Sequence, residues 1–139
     1  MNGDWPLLKS GSVGAIVVAL QRLLIDHDAT LDVDGTFGPE TEAAVKAHQT
    51  AKGIASDGIV GKETWPVTIV QIASGSTGEP VTAAQELLSY LSDGLAVDGI
   101  FGPETETATR AFQEGVGIAV DGIIGPDTWK ALLASSPGG

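Results

Sequence analysis

Four copies of an Asp-Gly-x-x-Gly-x-x-Thr pattern are the best candidates for a chemical site in this sequence. The first copy, with Asp32 just before it, can be read as a calcium loop, in which carboxylates at positions 1 and 12 bind the ion. Thr30 and Thr41 occupy those positions here, and neither carries a carboxylate. The pattern therefore favours a structural turn, in which the aspartate accepts hydrogen bonds from the backbone that follows. The four aspartates are Asp34, Asp57, Asp98 and Asp121.

Groups that could carry out catalysis are few. The chain has no cysteine, and its two histidines, His27 and His48, have no Glu or His at a spacing typical of metal ligands. We expect both to be partly buried structural residues. Glu40 and Glu42 are two positions apart on a helix and point to different sides, so they do not form an acid–base pair. We predict no catalytic residue, no metal ligand and no cofactor, and we do not expect an enzyme.

Six amide and indole side chains are the candidates for ligand contact. The glutamines each follow an apolar helical residue, and they could either donate amide hydrogen bonds to a peptide ligand or tie a turn to a helix. The tryptophans could stack on a sugar face or, the reading that we favour, seal a hydrophobic core. The candidate ligand-binding residues are Gln21, Gln49, Trp65, Gln85, Gln113 and Trp129.

Composition excludes several classes of partner. Seven basic and eighteen acidic residues give a net charge of −11. Nucleic acid and anionic membrane surfaces both require clustered positive charge, so neither is an expected partner. The longest apolar stretch, Val13–Leu20, is far shorter than the roughly 20 residues of a membrane-spanning helix. The first residues show no secretory signal, so we predict a cell-wall location only if the protein is exported.

A 64-residue repeat organises the chain. Between positions 5 and 69, 31 residues are identical to the residue 64 positions further on, with no gap. Two tandem copies of one unit explain this pattern. We place the boundary between residues 1–66 and residues 67–139, and we expect the tail, 135–139, to be disordered.

Each turn pattern is expected to start a helix. Its second glycine suits the N-cap, proline follows in three of the four copies, and acidic residues occupy the first turn. Pro66 is expected to truncate the third helix of the first repeat. The predicted helices run from Gly14 to about Asp28, from Pro39 to about Lys52, from Lys62 to Trp65, and then over about Glu79–Leu91, Pro103–Glu114 and Pro126–Ala134.

The predicted fold class is therefore all-α, with two small three-helix bundles related by the 64-residue repeat. A unit of this size buries little surface alone. The segment that joins the units, Val67–Ile72, is apolar, whereas a solvated linker would be polar. We therefore expect the two bundles to pack against each other, with Phe37 and Phe101 filling their cores.

An ordered set of motifs, present twice, covers nearly all of the chain. Its first copy comprises Gly11-Ser12-x-Gly14, Leu20-Gln21-x-Leu23-Leu24, Asp34-Gly35-x-Phe37-Gly38-Pro39-x-Thr41, Gln49, Gly53-Ile54 and Asp57 to Trp65. This set resembles the peptidoglycan-binding domain that is appended to bacterial and phage cell-wall hydrolases. The first repeat departs from the family pattern at His48, Lys62 and Pro66, and the second at Ala84.

The resemblance implies a helical, non-catalytic module that binds bacterial cell-wall peptidoglycan or its fragments, with a hydrolase or an assembly protein as a further partner. Two linked units would raise the avidity for one polymer. The alternative function is a protein-interaction or scaffold module in a phage or injection-type assembly. The genes next to this one would separate the two hypotheses.

Overall fold

The computed structural model describes residues 5–91 and 94–136. This part of the chain contains six helices, and its few strand-like pairings are isolated bridges, so the predicted all-α class is confirmed. The helices are α1 (Ala15–Asp26), α2 (Pro39–Lys52), α3 (Trp65–Thr68), α4 (Glu79–Ser89), α5 (Pro103–Val116) and α6 (Pro126–Ser135). The first three belong to the first repeat and the last three to the second.

Glycine and proline set most of the helix ends, as predicted. Gly38, Gly102 and Gly125 are the N-caps of α2, α5 and α6, and each is followed by proline. Proline is favoured there because the first helical N–H has no partner within the helix. α2 and α5 end at Gly53 and Gly117, whose φ angles of 76° and 80° lie in the left-handed region that glycine adopts without strain.

The role predicted for Pro66 is wrong. The third helix begins at Trp65, later than expected, and Pro66 lies in its first turn instead of ending it. A proline in the first turn is tolerated because the amide that it lacks would have no helical partner. The helix ends where Ile69 turns to an extended conformation and leads the chain into the second repeat.

The prediction of a disordered tail over residues 135–139 is also wrong in part. Ser135 is the last residue of α6, and the hydroxyl of Ser136 donates a hydrogen bond to the carbonyl of Leu132 at 2.6 Å. Residues 137–139, and residues 1–4 at the other end, lie outside the described structure.

Each repeat has the same core. Phe37 and Phe101 are 1% exposed, as expected of residues that fill a bundle. The indole N–H groups of Trp65 and Trp129 donate to the carbonyls of Pro6 and Val70, at 2.8 and 2.7 Å. The segment that enters each repeat is thus bound to the third helix of its own bundle.

The two bundles pack against each other mainly through α1 and α4, which are equivalent helices of the two repeats. Arg22 crosses this interface. Its guanidinium donates two hydrogen bonds to Glu86, at 2.8 and 3.0 Å, and a third to Glu79 at 3.1 Å. The predicted packing of two bundles is therefore confirmed, and an ion pair links them.

Candidate functional site

The Gln21 amide connects α1 to the turn that starts α2. Its nitrogen donates to the carboxylate of Asp34, the carbonyl of Thr36 and the hydroxyl of Thr41, at 2.9–3.1 Å. Its oxygen accepts from the backbone amides of Asp34 and Gly35. Because one primary amide makes five hydrogen bonds in a buried position, removing it would leave several polar groups without partners.

The same arrangement occurs at all four turns. In each, the glutamine nitrogen reaches an aspartate, a carbonyl two residues later and a threonine hydroxyl, and the glutamine oxygen accepts from the glycine amide. The glutamine, aspartate and threonine sets are Gln21, Asp34 and Thr41; Gln49, Asp57 and Thr64; Gln85, Asp98 and Thr105; and Gln113, Asp121 and Thr128.

Each aspartate also caps its own turn. Asp34 accepts a hydrogen bond from the backbone amide of Thr36 at 3.0 Å, and the other three turns repeat this contact. The pKa of each aspartate lies below its ordinary value of 3.8. The largest cause is the Gln21 amide for Asp34 and the backbone amide two residues later for the other three. These aspartates have the structural turn role that the sequence favoured over calcium binding.

The six residues predicted to bind ligand are all buried, with at most 1% of any side chain exposed. The glutamine amides bond within the chain, as do the tryptophan indoles. Of the two roles that the sequence left open, the structure shows the glutamines tying turns to helices and the tryptophans sealing the cores. Direct ligand contact would require these side chains to leave their present partners.

An open groove lies beside these turns in the first repeat. We call it the first groove; it has a volume of about 450 Å³ and runs between the end of α1, the loop that follows and one face of α2. Carboxylates, a hydroxyl and imidazoles supply its polar groups, and alanines form much of its floor. Its lining includes Leu24, His27, Asp28, Glu40, Ala43, Ala47 and His48.

The second repeat has its counterpart at the equivalent place. Two adjoining pockets of about 380 and 300 Å³, which share Ala108 and Ala111, together form the second groove. One lies at the start of α5 and includes Glu104; the other lies towards its end and includes Leu91 and Phe112. The two grooves therefore differ in polarity where His27 and His48 are replaced by Leu91 and Phe112.

Small side chains on one helix face open both grooves. On α2, Ala43, Ala47 and Ala51 are four residues apart and so lie above one another on one side of the helix. On α5 the equivalent residues are Thr107, Ala111 and Gly115. This spacing was visible in the sequence, but a stripe of small residues does not by itself separate a groove from a close helix contact.

The two histidines of the first groove both bind Thr68 of α3. An imidazole nitrogen of His27 lies 2.9 Å from the Thr68 carbonyl, and one of His48 lies 3.1 Å from the Thr68 hydroxyl. Their rings are 4.6 Å apart. Burial lowers the pKa of His48 below its ordinary value of 6.5, and the nearby His27 and Lys52 lower it further. They are the partly buried structural histidines that the sequence predicted.

The described residues contain no cluster of three or more His, Asp or Glu side chains suited to holding a metal ion. In the same part of the chain, every helix is too short or too polar to cross a bilayer.

Comparison with known proteins identifies the repeat. A family model described as "Putative peptidoglycan binding domain" matches residues 13–67 and again residues 77–132. An N-acetylmuramoyl-L-alanine amidase, CwlL, of Bacillus licheniformis is 33% identical over 142 aligned residues, which cover 77% of this chain and 39% of the amidase. A zinc D-Ala-D-Ala carboxypeptidase of Streptomyces albus G is 44% identical over 61 residues, which cover 42% of this chain and 24% of that protein.

Among solved structures, a Burkholderia AP3 phage endolysin is 42% identical over 46% of this chain and 25% of its own, with a TM-score of 0.46. The chain spans well under two thirds of the length of each of these three proteins. The two family matches together cover most of the sequence and coincide with the two helical repeats. The chain therefore belongs to the peptidoglycan-binding domain family, of which it carries two tandem copies.

Proposed function

We propose that this chain binds bacterial peptidoglycan without cleaving it, and that its two grooves are the binding sites. The observation that carries the proposal is the recurrence of an open groove at the same place in both repeats of this family's fold. A recurring concave surface with a few polar groups on an apolar floor is the usual form of a ligand site.

Two sites in one packed unit suit a repeating polymer. α1 packs on α4, and the ion pairs from Arg22 to Glu86 and Glu79 cross this contact, so both grooves belong to one packed unit. When one groove is occupied, the second meets its ligand at a high effective concentration, which raises the overall affinity without any new contact.

The charge of the protein indicates how binding is achieved. The first repeat carries five basic and nine acidic residues, and the second carries two and nine, so both are negative. The bacterial wall is itself rich in carboxylates. Long-range attraction therefore contributes little, and recognition depends on hydrogen bonds and shape within the grooves.

The six residues singled out in the sequence enter this proposal indirectly. The glutamines hold the turns that start α2, α3, α5 and α6, and the tryptophans hold the third helix of each bundle. We infer that they shape the grooves and that ligand contact falls to neighbouring residues such as Ala47 and Ala111.

Sedimentation of the chain with purified cell walls tests the proposal. Ala47→Leu and Ala111→Leu place a larger side chain in the first and second groove, and we expect the double variant to pellet at least tenfold less than the parent. Thr50→Leu, which adds a comparable side chain to an exposed position of α2 outside the groove, is the matched control. Pelleting of the double variant equal to that of the control would contradict binding in the grooves.

The absence of cleavage is tested separately. Purified walls incubated with the parent chain should release no reducing ends and no amines above a blank. Release that rises with protein concentration would contradict the non-catalytic part of the proposal.

A further inference from the structure

The first groove has an unusual electrostatic character for a site that binds a carboxylate-rich polymer. Two carboxylates, those of Asp28 and Glu40, line it and are exposed to solvent. Lys52, at the end of α2, acts on the groove residue His48, whose pKa it lowers.

The end of α1 adds to this negative potential. The carbonyl end of a helix carries a partial negative charge, which cations normally offset. The last turn of α1 contains no basic residue, and the groove lies directly against it, as the lining by Leu24, His27 and Asp28 shows. The first groove therefore presents the negative end of α1 and two carboxylates to its occupant, and one of the two, Glu40, lies at the positive end of α2.

The floor of the groove has the opposite character. Ala43 and Ala47 expose methyl groups and offer no hydrogen bonds from their side chains, and the lining residue Leu24 is a buried part of the core. A ligand that matches both parts has a hydrocarbon chain with a positive charge at one end.

The second groove lacks this combination. Glu104 is the equivalent of Glu40, but Leu91 and Phe112 replace the histidines, and the sequence has Ser92 in place of Asp28. Ser92 lies outside the described residues, so the comparison at that position rests on the sequence alone. The two grooves are thus suited to different parts of a ligand.

We propose that the first groove binds an alkylammonium group, namely the free side-chain amine of the diamino acid in an uncross-linked wall peptide. The hydrocarbon chain lies on the alanine floor and the ammonium group meets Asp28 and Glu40. This inference rests on the proposed function and names the chemical group that one of its two sites recognises.

Asp28 allows a clean substitution. It is the only residue other than glycine with a positive φ among the described residues, at 76°. Asparagine tolerates this left-handed conformation as well as aspartate does, so Asp28→Asn removes the charge without backbone strain. Glu40→Gln removes the second charge at the start of α2.

The experiment compares binding of the intact chain to native walls and to walls whose free amines have been acetylated. We expect the parent to bind acetylated walls three- to tenfold more weakly, in keeping with the loss of two exposed charge contacts. The Asp28→Asn/Glu40→Gln double variant should bind both walls alike, at the level of the parent on acetylated walls. Glu63→Gln, an exposed carboxylate outside the groove, is the matched control and should behave as the parent.

A soluble probe gives an independent readout. Nα-acetyl-lysine methylamide should shift the backbone amide resonances of Ala43 and Ala47, and its Nε-acetylated form should not. Equal binding of the parent to both walls, or a double variant that still prefers native walls, would overturn the alkylammonium proposal while leaving wall binding intact. Failure to pellet with either wall would overturn the proposed function itself, and this inference with it.

Discussion

The two repeats share their turns but not their grooves. At all four turns, a glutamine, an aspartate and a threonine make the same hydrogen bonds with nearly the same lengths. In the grooves, the positions of His27 and His48 in the first repeat are taken by Leu91 and Phe112 in the second. The residues that build the fold are therefore repeated, whereas the residues that line the open surface differ between the copies.

The interface between the bundles shows why some positions had to differ. Residues 22 and 86 are equivalent in the repeat, and they meet each other because α1 packs on α4. When equivalent surfaces pack together, each residue lies near its own counterpart. Two arginines or two glutamates would repel there, but Arg22 and Glu86 attract.

The largest expected effect comes from removing the buried indoles, which tests whether the two cores are equivalent. Trp65→Ala and Trp129→Ala should each lower the free energy of unfolding by about 3–5 kcal/mol, because each leaves a large cavity. Chemical denaturation followed by circular dichroism measures both. Trp65 also stacks on Trp5, with ring centroids 6.3 Å apart. In the second repeat the residue equivalent to Trp5 is Ile69, so Trp129 has no such aromatic partner at that position. A much larger loss for Trp129 would show that the cores are not equivalent.

The turn glutamines come next. Gln49→Leu and Gln113→Leu keep the side-chain volume but leave the buried glycine amides without partners and remove the amide donor from the threonine hydroxyls and the aspartates. We expect each to cost about 2–4 kcal/mol of unfolding free energy, measured by urea denaturation. Similar losses would confirm one shared device. The exposed substitution Thr50→Leu is the control, and a loss no greater than that of the control would contradict the role given to the glutamines.

A smaller effect is expected at the interface. Arg22→Ala should cost about 1–2 kcal/mol, since its partners Glu86 and Glu79 are partly exposed and solvent weakens the attraction. A double-mutant cycle with Glu86→Ala isolates the pair, and we expect a coupling energy of about 0.5–1.5 kcal/mol. Additive losses would mean that the ion pair contributes nothing to holding the bundles together.

The smallest expected effect is on the pH dependence of stability, which should distinguish the first groove from the second. His48 has a pKa below its ordinary value of 6.5 when folded, so below that pH the unfolded chain takes up a proton that the folded chain does not. Its contribution to stability is therefore intact above pH 6.5 and is lost as the pH falls further. Thermal unfolding between pH 5 and 7.5 should show this decline in the parent. His48→Phe, which copies Phe112 of the second repeat, should reduce it; an unchanged pH profile would contradict the assignment.

The turn aspartates titrate in a separate range. Their pKa values lie below 3.8, so their hydrogen bonds support the fold at higher pH and are lost only as the pH falls below that value. Measurements above pH 5 therefore report on the histidine without interference from these four groups.

The sequence predicted the local features well for a physical reason. A glycine N-cap followed by proline, as at Gly102 and Pro103, acts on the residues immediately beside it. The left-handed glycine that ends α2 is likewise a property of one residue, Gly53. The misplaced third helix is the exception, because Pro66 can lie in a first turn as readily as it can end a helix.

The repeat, the helical class and the turns were thus determined by the sequence itself, since each depends on the order of neighbouring residues. The role of the glutamines was not. Gln21 can bind a ligand or a turn, and only the fold brings Thr41, twenty residues away, within 3.1 Å of its amide. The grooves and the contact between α1 and α4 likewise exist only after distant segments have packed together, because a cavity and an interface are properties of surfaces that no single stretch of sequence contains.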